Sequence, residues 1–446
     1  PLTELVFNKT NGNPFFMRML LKSLDRDNLL TFDFPTKNWQ WDIEQIEQMG
    51  ITDNVVDLML GKLQQLAEDT QHVLKLAACI GNRFNLSVLS IVNEKSQLIT
   101  ADQLWESLQV GLILPMSDAG KIPLVVESSL DSALPEDQLT ISYQFLHDRV
   151  QQAAYTLIPE DSKKAVHLKI GRLLLANTSA ESAEYIFELV NHLNLGRQLM
   201  ADDSEKIELI KLNLKAAQKA KDSTAYASAL EYLTIGIECS TANIWSLHYE
   251  LAFVLHKEMA EIEYLNGNFE KSAGLSQLTI EMAQSAIDKA EIYNLAIVQS
   301  TMQGEYKEAI ETGRTALALL GIDLPKHDLS VKINDELEAV RLRIGRQEIA
   351  ALIETPVAKD SAWILAIKLL NNLLVPAYNL KSSQEYIYDF ISLKIVDISL
   401  EYGIVAESSY GFSSYGMLLG ASLNEYQKGY EFGLLALNIS QKFGQL

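Results

Sequence analysis

The sequence predicts a mostly α-helical protein with one small β-region, followed by a long array of helix pairs. Three observations support this prediction. Apolar residues recur at helical spacing over most of the chain, a region near residues 112–145 changes to strand-like spacing, and a motif of about 40 residues recurs after residue 220. The 446 residues exceed one ordinary core, so we expect three domains, at residues 1–51, 52–160 and 161–446.

The first 51 residues combine a helical stretch, Pro14–Leu24, with a loop rich in aromatic residues between Thr31 and Trp41. The turn Gly12-Asn13-Pro14 precedes the helix, and Pro14 suits a first helical turn because no hydrogen bond from its nitrogen is needed there. This placement is by itself a sufficient structural explanation of the turn.

The next helices have recognisable ends. Thr52-Asp53 can cap a helix whose partner is Val73–Ile80, and Gly81 ends that partner. A following helix is expected to open with a capping box at Thr100–Gln103 and to close at Gly111.

After this helix, Leu112–Pro115 and Leu139–Phe145 have the pattern of short strands, separated by a turn at Asp118–Gly120 and a polar loop. Helices followed by a strand pair predict a winged-helix domain for residues 52–160.

From Ser162 onward the strand pattern disappears and a repeated motif becomes visible. Asn266–Ala273 is echoed by Gln303–Ile310 and Leu423–Tyr430. The order of turn residue, aromatic residue and small residue predicts a tetratricopeptide-like α-solenoid with a concave surface for a protein partner. The aromatic residues expected to anchor successive repeats are Tyr226, Phe269, Tyr306, Tyr386 and Tyr426.

We expect the anchor rings to be buried at corresponding places. The small residue beside each ring, such as Ala309, should let paired helices approach closely. The long interval between Tyr306 and Tyr386 predicts one weak repeat near residue 346.

Composition excludes several classes of function. The formal charge of −21 disfavours nucleic-acid binding, because affinity for phosphates comes largely from lysine and arginine. Cys79 and Cys239 are far apart, which favours free thiols in a reducing compartment and hence the cytoplasm. No apolar run was long enough to suggest direct membrane insertion, and the start at Pro1 and the end at Leu446 suggest part of a larger protein.

No catalytic motif is evident. Gly61-Lys62-Leu63 lacks the loop glycine and the hydroxyl of a phosphate-binding loop, and the seven histidines lack metal-ligand spacing. Among them, His72 and His167 are expected to be exposed and His192 to pack within a repeat. The chain itself should therefore be inactive and hold no cofactor or metal.

The segment Tyr143–Tyr155 runs from an apolar strand through His147-Asp148 into an amphipathic helix. Asp148 and Gln151 can form a capping box for this helix. His147 remains unexplained, and it lies beside a helix N-terminus, which favours anions.

These blocks together resemble the signal-transduction ATPases with numerous domains. The similar segments are Lys9–Phe16, Thr52–Val56, Leu74–Gly81 and Phe145–Arg149. More closely, the chain resembles cyanobacterial hybrid kinases that join a serine/threonine kinase, an AAA-type ATPase module, helical repeats, a GAF sensor and a histidine kinase. The resemblance covers essentially all 446 residues.

The resemblance implies roles for four residues. In that superfamily a Gly-x-Pro turn, here Gly12 and Pro14, lines the adenine side of the nucleotide. A His-Asp pair, here His147 and Asp148, approaches the diphosphate of bound ADP. The implied parent binds ATP or ADP with Mg²⁺, whereas its phosphate-binding core lies outside this sequence, so that residues 1–51 would be the lid remnant of the ATPase module.

We therefore expect a regulatory and protein-interaction region of a multidomain two-component kinase, coupling nucleotide state to kinase output through contacts with the parent's other domains. Two alternatives remain open. One is a helical-repeat scaffold in which the His-Asp pair only caps a helix. The other is the ligand-binding region of a maltose-activator-type transcription regulator.

Overall fold

The structure is a computed structural model that describes residues 2–10, 12, 14–26, 28–48, 55–116, 141–177, 185–241, 243–380 and 387–444. It confirms a mostly α-helical fold with a few short strands. The chain divides into two compact units, Pro1–Leu212 and Asn213–Leu446, which are described separately. The predicted cap at Thr52-Asp53, the turn at Asp118–Gly120 and the anchor Tyr386 lie outside the described residues.

The N-terminal part of the first unit is a helical pair joined to a β-hairpin. The aromatic segment predicted as a loop is this hairpin, in which Leu30 pairs with Trp41 and Phe32 with Trp39. The prediction failed because alternation of aromatic and polar residues over only four positions per strand is a weak signal. The elements are α1 (Leu2–Thr10), α2 (Pro14–Arg26), β1 (Leu30–Asp33), β2 (Asn38–Trp41) and α3 (Ile43–Gln48).

The middle of the first unit surrounds a three-stranded antiparallel sheet in the order β3-β5-β4. Its central strand buries Tyr143 and Phe145 completely, in one core with residues of the surrounding helices. The elements are α4 (Val55–Leu63), α5 (Glu68–Ile80), β3 (Arg83–Asn85), α6 (Leu86–Asn93), α7 (Gln97–Gln109), β4 (Ile113–Pro115), β5 (Ser142–Phe145) and α8 (Asp148–Thr156).

The predicted capping box of α7 is wrong. The helix begins one turn earlier, and the Ser96 side chain caps it by accepting from the Ile99 N–H at 3.3 Å. Thr100 and Gln103 instead accept hydrogen bonds from the buried Asn93 amide, at 3.1 and 2.9 Å. Thr100 and Gln103 therefore form a buried polar contact between α6 and α7, and they do not cap the helix.

The first unit ends with α9 (Glu160–Asn177), α10 (Ile186–Gly196), a 3-10 turn (Arg197–Leu199) and the start of α11 (Asp203–Asp222). His167 on α9 is buried, which corrects the expectation that it is exposed. Its Nδ1 lies 2.8 Å from Nδ1 of the buried His192, and its Nε2 lies 3.0 Å from the Tyr155 hydroxyl. Neighbouring Lys163 and Lys164 give α9 a polar sequence, but Lys163 itself packs over the Tyr155 ring, 4.5 Å from its centroid, on the face that carries His167.

The second unit is a series of helices in which most consecutive helices pack together, while α18 packs against α20 and α17 against α19. The pairs α14/α15, α16/α17, α19/α20 and α21/α22 pack closely, and among the described residues of this unit the only bridge between strands is isolated, at Val357 and Ile404. The helices are α12 (Tyr226–Cys239), α13 (Ile244–Leu247), α14 (Tyr249–Leu265), α15 (Phe269–Met282), α16 (Ala286–Met302), α17 (Tyr306–Leu319), α18 (Leu329–Ile344), α19 (Ser361–Asn379), α20 (Ile387–Tyr402), α21 (Ser408–Leu423) and α22 (Tyr426–Lys442).

A shared turn precedes four of these helices. The residue two positions before the aromatic has a positive φ, between 57° and 81°, and the next N–H bonds to a carbonyl near the end of the preceding helix at 2.8–2.9 Å. Glycine suits this conformation because it has no Cβ. The residues with positive φ are Thr224, Gly267, Gly304 and Asn424.

Each aromatic anchor that is described occupies the first position of its helix. The expectation that the rings are buried is wrong for Phe269, which is 51% exposed, and for Tyr426, which is 68% exposed. A side chain at a helix start points back over the turn, where less of the neighbouring helix can cover it. Tyr226 and Tyr306 are half-buried.

The weak repeat predicted near residue 346 is also wrong. Gly345 ends α18, and a 3-10 helix, Ile349–Glu354, follows in place of a helix that starts with an aromatic residue. This 3-10 helix packs against α22.

The helix α19 corrects a further expectation, because its 19 residues are long and apolar enough to span a membrane by composition alone. Half of that stretch is buried inside the structure, and α19 packs against α16, α17 and α20. Leu373 of α19 sits against Gly313 of α17, where a Cβ would lie 2.5 Å from the leucine side chain. The apolar composition of α19 is therefore accounted for by helix packing.

The buried histidine pair predicts acid-sensitive stability. Burial, and after it the neighbouring His167, lowers the pKa of His192 to about 4, whereas an unfolded histidine titrates near 6.5. The unfolded chain therefore binds more protons, and stability that is complete above about pH 6.5 is lost as the pH falls toward 4. Between pH 7.5 and 5 the loss from this residue should be about 2 kcal/mol.

Urea unfolding at the two pH values checks this prediction. His192→Gln should show a smaller acid loss than the unaltered chain, whereas the matched change of exposed His327 to Gln should show the full loss. Equal acid losses in both variants would contradict the assignment.

Candidate functional site

The junction between β5 and α8 holds the predicted His-Asp pair. His147 is the N-cap of α8, with φ −155° and ψ 149°, and its Nδ1 accepts a hydrogen bond from the Arg149 N–H at 3.1 Å. Its backbone carbonyl accepts from Val150 N–H at 2.8 Å. The predicted capping box at Asp148 is therefore wrong, because Asp148 is the first helical residue and its side chain is exposed.

The cap fixes the chemistry that His147 can offer. A neutral imidazole that accepts at Nδ1 carries its proton on Nε2, so the ring can act as a donor only through Nε2. The side chain is half-buried and lies at the N-terminus of α8, where it accepts the hydrogen bond from the Arg149 N–H. This arrangement combines a helix N-terminus with a neutral side-chain donor, and both can bind an anion.

The second pair of residues expected to contact a nucleotide, Gly12 and Pro14, lies at the turn between α1 and α2. Gly12 has φ +72°, and its N–H bonds to the Phe7 carbonyl at 3.2 Å. A Cβ at Gly12 would lie 2.7 Å from the Phe7 ring, so both the backbone conformation and the close contact require glycine. Pro14 is exposed and is the first residue of α2, as its sequence context predicts.

A cavity of about 730 Å³ adjoins Pro14. Its lining includes Trp39 and Trp41 of β2, and Arg18 and Lys22, which are four residues apart on α2. The remaining lining residues are Leu2, Met17, Leu21, Asp25 and Leu30. Flat apolar walls with two cations suit a planar ligand that carries negative charge.

The sequence alone does not single out Arg18, Lys22 and the two tryptophans as a group. The pair of cations four residues apart on the helix that follows Pro14 was the available signal, because this spacing puts both on one face. The tryptophans could not be assigned to this cavity without recognising the β-hairpin. Residues two apart on a strand point to the same face of the sheet, which places both Trp39 and Trp41 at the cavity.

The predicted residues thus occupy two structural settings. Gly12 and Pro14 join α1 to α2, whose core includes Val6 and Leu20. His147 and Asp148 stand at the start of α8, which packs on the core around the three-stranded sheet. Among the described residues, no group of three or more His, Cys, Asp or Glu side chains is arranged to hold a metal ion.

Comparison with known proteins gives few matches. No protein-family model matches the chain. All of the chain aligns with hybrid signal transduction histidine kinase G of Dictyostelium discoideum, at 28% identity over 500 aligned residues. The chain spans only 14% of the length of that kinase.

One solved structure is also similar. It is the crystal structure of a signal transduction ATPase with numerous domains that has a tetratricopeptide repeat sensor, from Pyrococcus horikoshii. The alignment covers 88% of this chain and 53% of that one, with 13% identity and a TM-score of 0.37. The description of the fold above rests on this chain's own structure.

The observed cap predicts a measurable stability effect at His147. His147→Ala should lower the free energy of unfolding by about 1 kcal/mol, because the Arg149 N–H loses its acceptor. His147→Ser should retain most of the stability, since serine is a good N-cap. Urea unfolding of the three proteins measures both effects, and an alanine variant as stable as the unaltered chain would rule out the capping contribution.

Proposed function

We propose that this chain is a regulatory and protein-interaction region of a multidomain signal-transduction kinase. The observation that carries the proposal is the 28% identity to a hybrid histidine kinase, which extends over the whole chain. Similarity that continues through both compact units favours a shared multidomain arrangement over an isolated helical module. We also propose that the parent protein contains a serine/threonine kinase domain and an ATPase module.

The domain roles follow from the elements. Residues 1–51 would be the lid remnant of the ATPase module, residues 52–160 a winged helix, and residues 161–446 the repeat region. Support for the winged helix comes from the three-stranded sheet, whose strand β3 lies between α5 and α6 and whose strands β4 and β5 follow α7. The α7 sequence contains no lysine or arginine, which favours protein over nucleic-acid contact.

The nucleotide link rests on the cavity beside Pro14. The adenine ring of a nucleotide would stack against Trp39 and Trp41, and Arg18 and Lys22 would attract the phosphates of the nucleotide. The phosphate-binding loop and the Mg²⁺ ligands would come from the parent's core, so the chain itself would hold ADP only weakly. His147 would meet the diphosphate through Nε2 when that core is present.

In this proposal, nucleotide state changes the contacts of the N-terminal domains with the core, and the repeat region passes the change to the kinase domains. The coupling is a difference in free energy between the two arrangements. The free thiols Cys79 and Cys239 fit a cytoplasmic location, and burial raises the pKa of Cys79 to about 12, which leaves it unreactive.

Tryptophan fluorescence tests the cavity. ADP at millimolar concentration should change the emission of the chain, and Trp39→Phe or Trp41→Phe should reduce the change. Arg18→Gln should weaken ADP binding roughly tenfold through loss of a charge-assisted contact. The matched change Trp363→Phe, in the second compact unit, should leave the ADP response intact. No response to ADP, or equal responses in all variants, would overturn nucleotide binding at this cavity.

The parent kinase tests the sensing role of His147. His147→Ala should release ADP roughly tenfold faster and raise basal phosphorylation, because a charge-assisted hydrogen bond contributes about 1.5–3 kcal/mol. His147→Ser separates the two roles of the residue, since serine keeps the helix cap but cannot replace Nε2. If the serine variant retains ADP like the unaltered kinase, His147 is only a cap and the scaffold alternative is favoured.

A further inference from the structure

A cavity of about 330 Å³ lies within the second compact unit, and all of its lining residues belong to that unit. Residues of α18, α19 and α20 line it, together with residues of the segment 321–325 that follows α17. A cavity of this volume is large enough for a small organic molecule. The chemistry of its lining indicates which molecule fits.

Two stacked aromatic rings form part of the lining. The ring centroids of Trp363 on α19 and Tyr402 on α20 are 3.9 Å apart, and the ring planes differ by 11°. The Asp360 side chain caps α19 by accepting from the Ala362 N–H at 2.8 Å, which fixes the helical turn that carries Trp363. Tyr402 is 39% exposed. The face of an aromatic ring attracts cations, because its π electrons give it partial negative charge.

Three carboxylates of the lining are already paired with cations. Lys394 Nζ donates to Glu336 Oε1 at 2.9 Å and to Asp397 Oδ2 at 3.2 Å. Arg343 forms ion pairs with Asp397 and with Glu401. These contacts join α18 to α20, so they hold two of the lining helices in a fixed arrangement.

Two further carboxylates of the lining are available to a ligand. Within the part of the chain that the structure describes, no hydrogen bond or ion pair engages the side chain of Asp323 or of Asp335. The buried Arg314 donates to the backbone carbonyls of Leu324 and Pro325, to the latter at 2.7 Å. A buried arginine thus fixes the segment that presents Asp323.

The charge of the cavity is negative. Its lining contains five carboxylates and the ammonium groups of Lys332 and Lys394, and Arg343 adds a third positive charge beside the lining. Five negative and three positive charges leave a net charge of −2. This balance disfavours an anionic ligand, and unpaired carboxylates near aromatic rings suit a cation.

We propose that this cavity binds a small organic cation with an ammonium or guanidinium group, which lies against the Trp363–Tyr402 pair and forms ion pairs with Asp323 and Asp335. The inference goes beyond the proposed regulatory role, because it assigns the second compact unit a small-molecule ligand of its own. It uses only residues of that unit and does not depend on nucleotide binding at the cavity beside Pro14.

Calorimetric titration of the 446-residue chain tests the site. The probes are agmatine, which carries a guanidinium and an ammonium group, and putrescine, which carries two ammonium groups. One molecule of at least one probe should bind per chain. Asp323→Asn and Asp335→Asn should each weaken this binding roughly tenfold, because each removes a charge and keeps the volume of the side chain.

Glu338→Gln is the matched control. Glu338 is an exposed residue of α18 that does not line the cavity, and its replacement changes the net charge of the chain by the same amount. This variant should bind the probe like the unaltered chain. Equal binding by Asp335→Asn and Glu338→Gln would overturn the proposal, because it would indicate general attraction of cations to an acidic protein.

Two further measurements complete the test. Trp363→Leu should weaken binding about fivefold through loss of the aromatic face, and thermal unfolding shows whether this variant is folded. Succinate, a dianion of similar length to putrescine, should not bind. Saturable binding of succinate at this cavity, or no saturable binding of either cation at millimolar concentration, would overturn the proposed ligand class.

Discussion

The second unit depends on close approach between helices at positions with small side chains. Ala309 is fully buried at the fourth position of α17, and Gly313 one turn later admits the side chain of Leu373. In α22 the fourth residue, Gly429, lies so close to α21 that its Cβ would be 2.7 Å from the Gly416 carbonyl oxygen. Larger side chains at these positions would separate the helices and open the core, since protein interiors tolerate little added volume.

The aromatic residues have a different role from the one that their periodicity suggested. Phe269 and Tyr426 mark where a helix begins, and the small residue three positions later marks where it is buried. A recurring residue type in a sequence identifies corresponding positions, but it does not reveal which of them face the core. That information depends on the neighbouring helix, which a single repeat does not contain.

The sequence was sufficient for the class of fold, for the strands β4 and β5 and for the position of Pro14 at a helix start. Helix caps were less predictable. Ser96 and Thr100 are four residues apart, so each can be read as the start of the same helix, and only the contact of Asn93 with Thr100 and Gln103 distinguishes them. His147 was missed as a cap because histidine rarely takes that role, whereas Asp148 is a common capping residue. The buried pair of His167 and His192 joins α9 to α10, a long-range contact that local polarity concealed.

The shared turn between helices has a consequence for the mechanical behaviour of the array. Gly267 and Gly304 adopt positive φ without penalty, whereas Thr224 adopts the same conformation with a β-branched side chain, which is strained by about 1–2 kcal/mol. In a linear array each turn between helices contributes its own stability, so turns of unequal stability make the resistance to stretching differ along the array. Under tension, we expect extension to begin at Thr224, while the glycine turns hold their neighbouring helices together to higher force.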